Sequence, residues 1–167
     1  VVQGENHWRV EDGILRNVKT GGNLVTDRTF DDFQLHIEFR YAPRGNSGVY
    51  LRGRYEVQVL DGPTEEPDSH LQGAIYGFLT PSEIVTNGPN EWNTFDITLV
   101  GRMVTIVVNG KTVISNQAIP GITGGALDSD EDSQPVNAPR PQPASKAAGQ
   151  ARSVAQPQTI LPLKPSE

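Results

Sequence analysis

Residues 33–41 read FQLHIEFRY, in which every odd position carries an apolar or aromatic side chain and every even position a polar one. Successive side chains of a β-strand point to opposite faces, so this alternation predicts a strand with one buried and one solvated face. Residues 93–100, NTFDITLV, repeat the pattern. Strands of this kind are typical of antiparallel sheets, which can leave one face open to water.

Asn109-Gly110 separates two further β-branched runs, at 104–108 and 111–114. The pair tolerates the positive φ that a type I′ turn needs at both central positions, so the two runs are predicted to form a tight hairpin. No segment sustains a helical period. Because faces of period two must pair across packed sheets, we expect an all-β, two-sheet antiparallel sandwich.

The composition excludes several classes of protein. The chain has 167 residues and no cysteine, so a disulfide framework, a zinc–thiolate centre and a cysteine nucleophile are ruled out. A formal net charge of -6 leaves no basic excess for a phosphate backbone, and we expect no nucleic acid partner. No run approaches the roughly 18 apolar residues of a membrane-spanning helix, so no membrane span is predicted.

Aromatic residues and glycines are concentrated before residue 128. All 11 aromatic residues lie at or before Phe95, and of the 17 glycines only Gly149 lies beyond Leu127. The remainder contains seven prolines and cannot bury much apolar surface. We therefore predict three parts: a globular domain over 1–127, a Pro/Ala/Gln-rich, disordered or loosely packed segment over 128–158, and a short final strand with a tail over 159–167.

Two neighbouring strands, predicted on either side of Gly53, gather side chains that bind and activate hydroxyl groups. A carboxylate beside an arginine keeps its charge, and both groups hydrogen-bond vicinal hydroxyls. An ordinary solvated sheet face with a cross-strand ion pair explains the same pattern. With Val49 and Leu51 facing the core, the opposite face is predicted to carry Tyr50, Arg52, Glu56 and Gln58.

Among the three histidines, His70 is the strongest candidate for an acid or base. It lies in a Pro/Asp/Ser-rich loop, where a histidine beside a polar sheet face can exchange protons near neutral pH. A plain loop histidine explains the position equally well. His36 is expected to be a solvated surface residue of the strand at 33–41. No phosphate loop, Gly-x-Ser-x-Gly or His-Glu-x-x-His occurs, and we predict no metal site and no cofactor.

The most specific stretches of the chain are NSGVYLR at 46–52 and YEVQVLD at 55–61. Together with the flanking motifs they resemble the 3-keto-disaccharide hydrolase domain in both composition and order, over residues 8–127. The resemblance implies a concanavalin A-like lectin/glucanase jelly roll, in which two packed antiparallel sheets form a concave groove. The flanking motifs are WRVEDGIL at 8–15, GAIYG at 73–77, EWNT at 91–94, VVNG at 107–110 and PGITGGAL at 120–127.

Members of this family act on glycosides oxidised to a ketone at C3, so the resemblance implies a hydrolase or lyase whose partner is an oxidised carbohydrate. The ketone acidifies the C2 proton, a base removes it, and the aglycone leaves C1 by β-elimination. The resemblance implies Glu56 or His70 as the base and Arg52 as the group that stabilises the enolate oxygen. The implied sugar-positioning groups are Tyr50, Gln58, Tyr76, Trp92 and Asn93.

Two other interpretations stay open. One is a non-catalytic carbohydrate-binding module with Trp92 and the tyrosines as stacking surfaces, although a core position is the commoner one for such a tryptophan. The other is an inactive remnant, because the family's late segments and their histidine have no counterpart in 134–158. That segment is either a divergent linker or the product of a compensated shift of reading frame. The family implies a periplasmic or extracellular setting; no motif specifies the sugar, the linkage or the oligomeric state.

Overall fold

The computed structural model describes residues 1–19, 21–123 and 158–160. This part of the chain contains no helix, and hence no helix that could cross a membrane. The segment predicted to be loosely packed lies almost entirely outside the described residues. The described residues form eleven strands: β1 Val2–Gln3, β2 Trp8–Glu11, β3 Ile14–Asn17, β4 Asn23–Leu24, β5 Phe33–Arg40, β6 Asn46–Leu51, β7 Tyr55–Leu60, β8 Asn93–Val100, β9 Met103–Val108, β10 Lys111–Ala118 and β11 Gln158–Ile160.

Seven antiparallel strands form the larger sheet, in the order β10-β9-β8-β5-β11-β3-β2. At its centre β5 pairs with β8, from Phe33 opposite Leu99 to Phe39 opposite Asn93. The apolar positions Phe95, Ile97 and Leu99 are buried along β8, and those of β5 are buried towards its C-terminal end, whereas His36 and Glu38 are exposed. The predicted half-buried strands are therefore confirmed.

The predicted hairpin at Asn109-Gly110 is also present. Both residues have positive φ, 49° and 80°, the signs that a type I′ turn requires. Strand β10 runs on to Ala118, beyond the predicted end at Ile114, and its register against β9 shifts on either side of Ile114. Such bulges let an edge strand bend over the sheet beneath it.

The smaller sheet consists of β6 and β7, which pair from Asn46 opposite Leu60 to Leu51 opposite Tyr55. A bridge between Val57 and Ile75 lays residues 73–76 along the free edge of β7. This sheet packs on the larger one, and their facing side chains form one core. The fold is thus the expected two-sheet antiparallel jelly-roll sandwich. The core includes Ile37, Phe39, Phe95, Ile97, Leu99, Val104, Ile106 and Val108 from the larger sheet, and Leu51, Tyr55, Val57, Val59 and Ile75 from the smaller.

Strand β11 joins two parts of the larger sheet. Its Thr159 pairs with Arg16 of β3 on one side and with Arg40 of β5 on the other. It overlaps the segment for which the sequence predicts a short final strand. Within residues 1–32, no described side chain is buried. The β2–β3 hairpin therefore depends on pairing through β11 rather than on the core, whereas β1 and β4 pair with each other in a separate two-stranded sheet.

Candidate functional site

A row of three side chains crosses the smaller sheet on the face turned away from the core. Tyr50 lies directly opposite Glu56 in the β6–β7 pairing. On the other side of β7, the Tyr76 N–H donates to the Glu56 carbonyl at 2.9 Å. Residues opposite one another in antiparallel strands share a face, so the glutamate lies between two tyrosines. All three are half-buried, as a site that binds a substrate and restricts water requires.

Gly48 provides the space that the Glu56 carboxylate occupies. A β-carbon at position 48 would lie 2.7 Å from Glu56 Cδ and closer still to Oε1. Such a separation is shorter than real non-bonded contacts allow, so only glycine at this position permits the observed side-chain conformation. The NSGVY stretch therefore has a physical function here: its glycine forms the floor beneath the carboxylate.

Gln58 lies beside this row but is 3% exposed. Its Nε2 is 3.3 Å from the carbonyl oxygen of His70 and 3.5 Å from Asn46 Oδ1. The Gln58 main chain also bonds both neighbours in the adjoining segment, donating to the Ala74 carbonyl at 3.0 Å and accepting from Gly73 N–H at 2.9 Å. Gln58 therefore fixes the loop that carries His70 against β7.

His70 reaches the same cluster through Tyr76. The two rings are 4.8 Å apart between centroids and nearly perpendicular, at 89°. The His70 side chain is half exposed. The structure thus brings together five of the predicted residues, which we call the Glu56 cluster: Tyr50, Glu56, Gln58, His70 and Tyr76.

Asp68 is a member of the site that the sequence analysis missed. Its Oδ1 accepts a hydrogen bond from the His70 N–H at 2.8 Å and lies 2.7 Å from His70 Nδ1. The bond from the His70 backbone, and next the bond from its ring, hold the pKa of the Asp68 carboxyl below its usual value. An Asp-x-His spacing in a loop is the signal that could have found it, since a short carboxylate readily bonds the N–H two residues on.

Arg52 does not lie on the strand face on which it was predicted. Strand β6 ends at Leu51, and a bond of 3.1 Å from the Arg54 N–H to the Leu51 carbonyl closes a turn. Arg52 and Gly53 have positive φ of 56° and 64°, which turns the arginine away from the strand alternation. Its Nη2 donates to the Gly101 carbonyl, in the turn between β8 and β9. Within the described residues, Arg52 makes no hydrogen bond or ion pair with the Glu56 cluster.

Arg54 and Thr123 fix the backbone beside Glu56, a contact that the sequence analysis missed. Arg54 is 8% exposed and has the one buried charged side chain in the described part of the chain. Its carbonyl accepts the Thr123 N–H at 2.6 Å, and Thr123 Oγ1 accepts the Glu56 N–H at 2.5 Å. Thr123 therefore extends the hydrogen bonding along this edge of β7 beyond Tyr76, and it fixes the backbone of Glu56.

Asn93 is not brought to the Glu56 cluster. It is fully buried, and its Oδ1 accepts from the Asn87 N–H and from Asn109 Nδ2, both at 2.9 Å. Its Nδ2 donates to the Glu91 carbonyl at 3.0 Å. The Asn93 amide thus joins the segment before β8 to the hairpin turn at Asn109. Its role is structural, because a buried and fully bonded amide is not available to bind a sugar.

Trp92 lies on the surface, so the interpretation of it as a core tryptophan is wrong. Its exposed fraction is 37%, and the guanidinium carbon of Arg40 lies 5.2 Å from its ring centroid. A cation over an indole face is attracted by the ring quadrupole. Within the described residues, Trp92 makes no hydrogen bond or ring contact with the Glu56 cluster. Among these residues, no group of three or more histidines and carboxylates is arranged to hold a metal ion.

The family model for the 3-keto-alpha-glucoside-1,2-lyase-like domain matches residues 2–144. The chain belongs to this family. The match extends past Leu127, at which the predicted domain ends. No curated protein matches this family member.

Solved structures similar to this lyase-like domain include three from Parabacteroides distasonis ATCC 8503, each named as a candidate glycosyl hydrolase. One is 27% identical, with a TM-score of 0.66, covering 93% of this chain and 72% of the other. A second is 25% identical, with a TM-score of 0.57 and 77% coverage of both chains. A third is 23% identical, with a TM-score of 0.58 and coverage of 67% and 62%, and supports the fold alone. Family and neighbours together indicate a glycosyl hydrolase-like domain.

Proposed function

We propose that this chain cleaves the glycosidic bond of 3-keto-glycosides by elimination. A base removes the C2 proton, and the C–H electron pair delocalises into the C3 carbonyl to form an enolate, with the negative charge on the C3 oxygen. The enolate then expels the glycosidic oxygen from C1, and that oxygen takes a proton from solvent water and leaves as an alcohol; the hydroxide so formed is neutralised by the proton that the water added at C1 later gives up. Water added across the resulting C1–C2 double bond completes hydrolysis, with no change in oxidation state over the sequence.

The observation that carries the proposal is the position of the Glu56 carboxylate. It is half-buried on a strand, over Gly48 and between Tyr50 and Tyr76. A carboxylate held by a sheet has a fixed position, which is what proton abstraction from a bound sugar needs. We assign Glu56 as the C2 base.

The enolate oxygen needs a hydrogen-bond donor or a cation. The resemblance gives this role to Arg52, but the guanidinium binds the Gly101 carbonyl at the end of the sandwich. The phenol groups of Tyr50 and Tyr76 share the face of Glu56 and can donate to an oxyanion. We therefore propose that Tyr50 and Tyr76 stabilise the enolate, and that Arg52 has a structural role in joining the turn after β6 to the turn between β8 and β9.

His70 is the second group that can take a proton. Its ring packs against that of Tyr76, whose main chain is hydrogen-bonded to that of Glu56. We propose that it accepts the proton of the water molecule that adds to C1, while Glu56 returns its proton to C2. Glu56 and His70 thus serve the two halves of one hydrolysis.

The test compares a 3-keto disaccharide with its parent, which has a hydroxyl at C3. Product is expected from the keto sugar alone, because the parent's C2 proton is not acidic. Glu56→Gln keeps the shape but removes the base, and kcat should fall about 10²- to 10⁴-fold. Glu66→Gln, in an exposed part of the loop, is the matched control and should be unaffected. Retained activity in Glu56→Gln excludes Glu56 as the base, and cleavage of the parent sugar excludes the elimination route.

One observation favours a second candidate function. Trp92 is exposed and Tyr50 half-buried, so the chain offers aromatic surface for a sugar, although Tyr41 and Tyr55 are buried in the core. Binding of the disaccharide without product would support a carbohydrate-binding module. Neither binding nor product would support an inactive remnant.

We also propose that the protein works outside the cytoplasm, in the periplasm or beyond the cell. This proposal rests on the family alone. Detection of the native protein only in the cytoplasmic fraction of its host would exclude it.

A further inference from the structure

We infer that Asp68 is a positioning residue, which holds the His70 imidazole in one orientation and one tautomer at the edge of the Glu56 cluster. The inference rests on the proposed function, in which His70 accepts a proton. It assigns a role to a carboxylate that itself lies outside the row of Tyr50, Glu56 and Tyr76.

The backbone of His70 is fixed by its own loop. Asp68 and Leu71 are joined by a bond of 3.2 Å from the Leu71 N–H to the Asp68 carbonyl, and the Gly77 N–H donates to the Ser69 carbonyl at 3.0 Å. Gly77 has a φ of 76°, a left-handed conformation that favours glycine. These bonds close the loop on both sides of His70, and residues 73–76 attach it to β7.

Two contacts then restrict the rotation of the ring. Nδ1 lies 2.7 Å from Asp68 Oδ1, and the ring meets Tyr76 nearly at right angles. The carboxylate oxygen also accepts the His70 N–H, so one atom holds both the ring and the main chain of the histidine. Ser69 Oγ, 3.4 Å from Nδ1, is the other polar group beside that nitrogen.

The contact with Asp68 also selects the tautomer. An ionised carboxylate can only accept, so Nδ1 must carry the hydrogen, and the neutral ring then presents a bare Nε2 lone pair. Nε2 has no hydrogen-bond partner among the described residues. The lowered pKa of Asp68 keeps the carboxylate ionised throughout the neutral range, so the selection persists there. Asp68 thereby leaves His70 ready to accept a proton at Nε2.

Two measurements on the full chain test the inference. Long-range nitrogen–proton correlation spectra of isotopically labelled protein report which ring nitrogen of His70 is protonated. The proton should be on Nδ1 in the unaltered chain and should redistribute between the nitrogens in Asp68→Ala. Asp68→Asn, whose amide oxygen still accepts, should largely keep it on Nδ1. With a 3-keto disaccharide, Asp68→Ala should lower kcat about 10- to 100-fold with little change in KM.

Glu66→Ala is the matched control, because it removes an exposed carboxylate from the same loop without touching His70. An unchanged tautomer in Asp68→Ala overturns the inference, and so does an unchanged kcat in an active enzyme. If the unaltered chain does not cleave the 3-keto sugar, the proposed function fails by itself, and the spectra still decide whether Asp68 controls the ring.

Discussion

The Glu56 carboxylate lies directly over Gly48, at a separation that no other residue at position 48 allows. A β-carbon there would come within 2.7 Å of Glu56 Cδ and still nearer to Oε1. Gly48 has no positive φ, so its backbone would accept alanine and only the space above it forbids one. Position 48 therefore controls the location of the carboxylate without affecting its chemistry.

Gly48→Ala should fold and should lose activity. The added methyl group displaces the carboxylate from its place on the sheet, and a misplacement of about 1 Å can lower kcat by about 10²-fold. Ser47→Ala, the neighbouring position of β6, is the control. Thermal unfolding and kcat for both variants check the prediction. A fully active Gly48→Ala would show that the observed carboxylate position does not matter for the reaction.

Two substitutions of Arg52 should separate the energetic cost of its positive φ from the contribution of its hydrogen bond to Gly101. Arg52→Ala loses the bond to Gly101 and keeps a side chain at a φ of 56°. Arg52→Gly loses the same bond but removes the steric cost of that conformation, so it should be the more stable variant by about 1 kcal/mol. Urea unfolding measures the difference.

The activity of the same two variants tests the role that the resemblance gives to Arg52. We expect kcat to stay within a few-fold of the unaltered chain, because the tyrosines are placed to stabilise the enolate. A loss of about 10²-fold in both variants would place the guanidinium at the substrate after all.

Asn93→Ala should destabilise the fold rather than weaken substrate binding. The substitution removes a buried amide and leaves the Asn87 N–H and the Glu91 carbonyl without their partner in a partly buried region, at a cost of about 1–3 kcal/mol in the free energy of unfolding. Asn6→Ala, which removes one exposed hydrogen bond to the Trp8 N–H, should cost less than about 1 kcal/mol. Measured at a temperature at which both variants are folded, KM for the keto sugar should not change; a raised KM would contradict this assignment.

Tyr41 should make the fold sensitive to alkali. Burial raises its pKa, although the hydroxyl bond to Thr86 acts in the opposite direction and nearby Asp61 adds to the rise. Below pH 10.0, the ordinary tyrosine value, both folded and unfolded states hold the proton, and this group adds no pH dependence. Above that value the unfolded chain ionises first, so the free energy of unfolding falls as pH rises.

Tyr41→Phe removes the alkaline pH dependence that Tyr41 contributes, but it also removes the hydrogen bond to Thr86. The variant should be less stable by about 1 kcal/mol at neutral pH and should lose stability less steeply above pH 10.0. Urea unfolding across the alkaline range, with tyrosinate absorbance as a second signal, measures both slopes. Equal slopes in the two proteins would show that Tyr41 ionises alike in the folded and unfolded states.

The parts of the fold with a strict period of two were predictable from the sequence. Strand β8 has the predicted bounds, and β5 differs from its predicted end by one residue. The same alternation correctly placed Tyr50, Glu56 and Gln58 on one face. It could also have placed Asn93 in the core, since that residue is in phase with Phe95, which is buried. The prediction instead followed the family resemblance, which implies a sugar-positioning role for Asn93.

The remaining features of the site depend on conformation that alternation does not describe. Arg52 was misplaced because a turn with positive φ begins one residue before the apparent end of the strand. Asp68 could be recognised only through a loop that bends its carboxylate back onto His70. Thr123 reaches the Glu56 backbone from 67 residues away, a contact that no local pattern contains.

The place of β11 between β3 and β5 has a consequence for the order of folding. The β2–β3 hairpin is local and can form early, but among the described residues it pairs with the rest of the larger sheet only through β11. Residues 158–160 of β11 are far along the chain from both β3 and β5, with which they pair. Loop closure over such a separation adds little to the equilibrium cost, because that cost grows only with the logarithm of length. The same separation slows the pairing of β11 with β3 and β5, because non-local contacts limit folding rates. The hairpin should therefore acquire protection from amide hydrogen exchange after the core strands, as a late and separable kinetic phase.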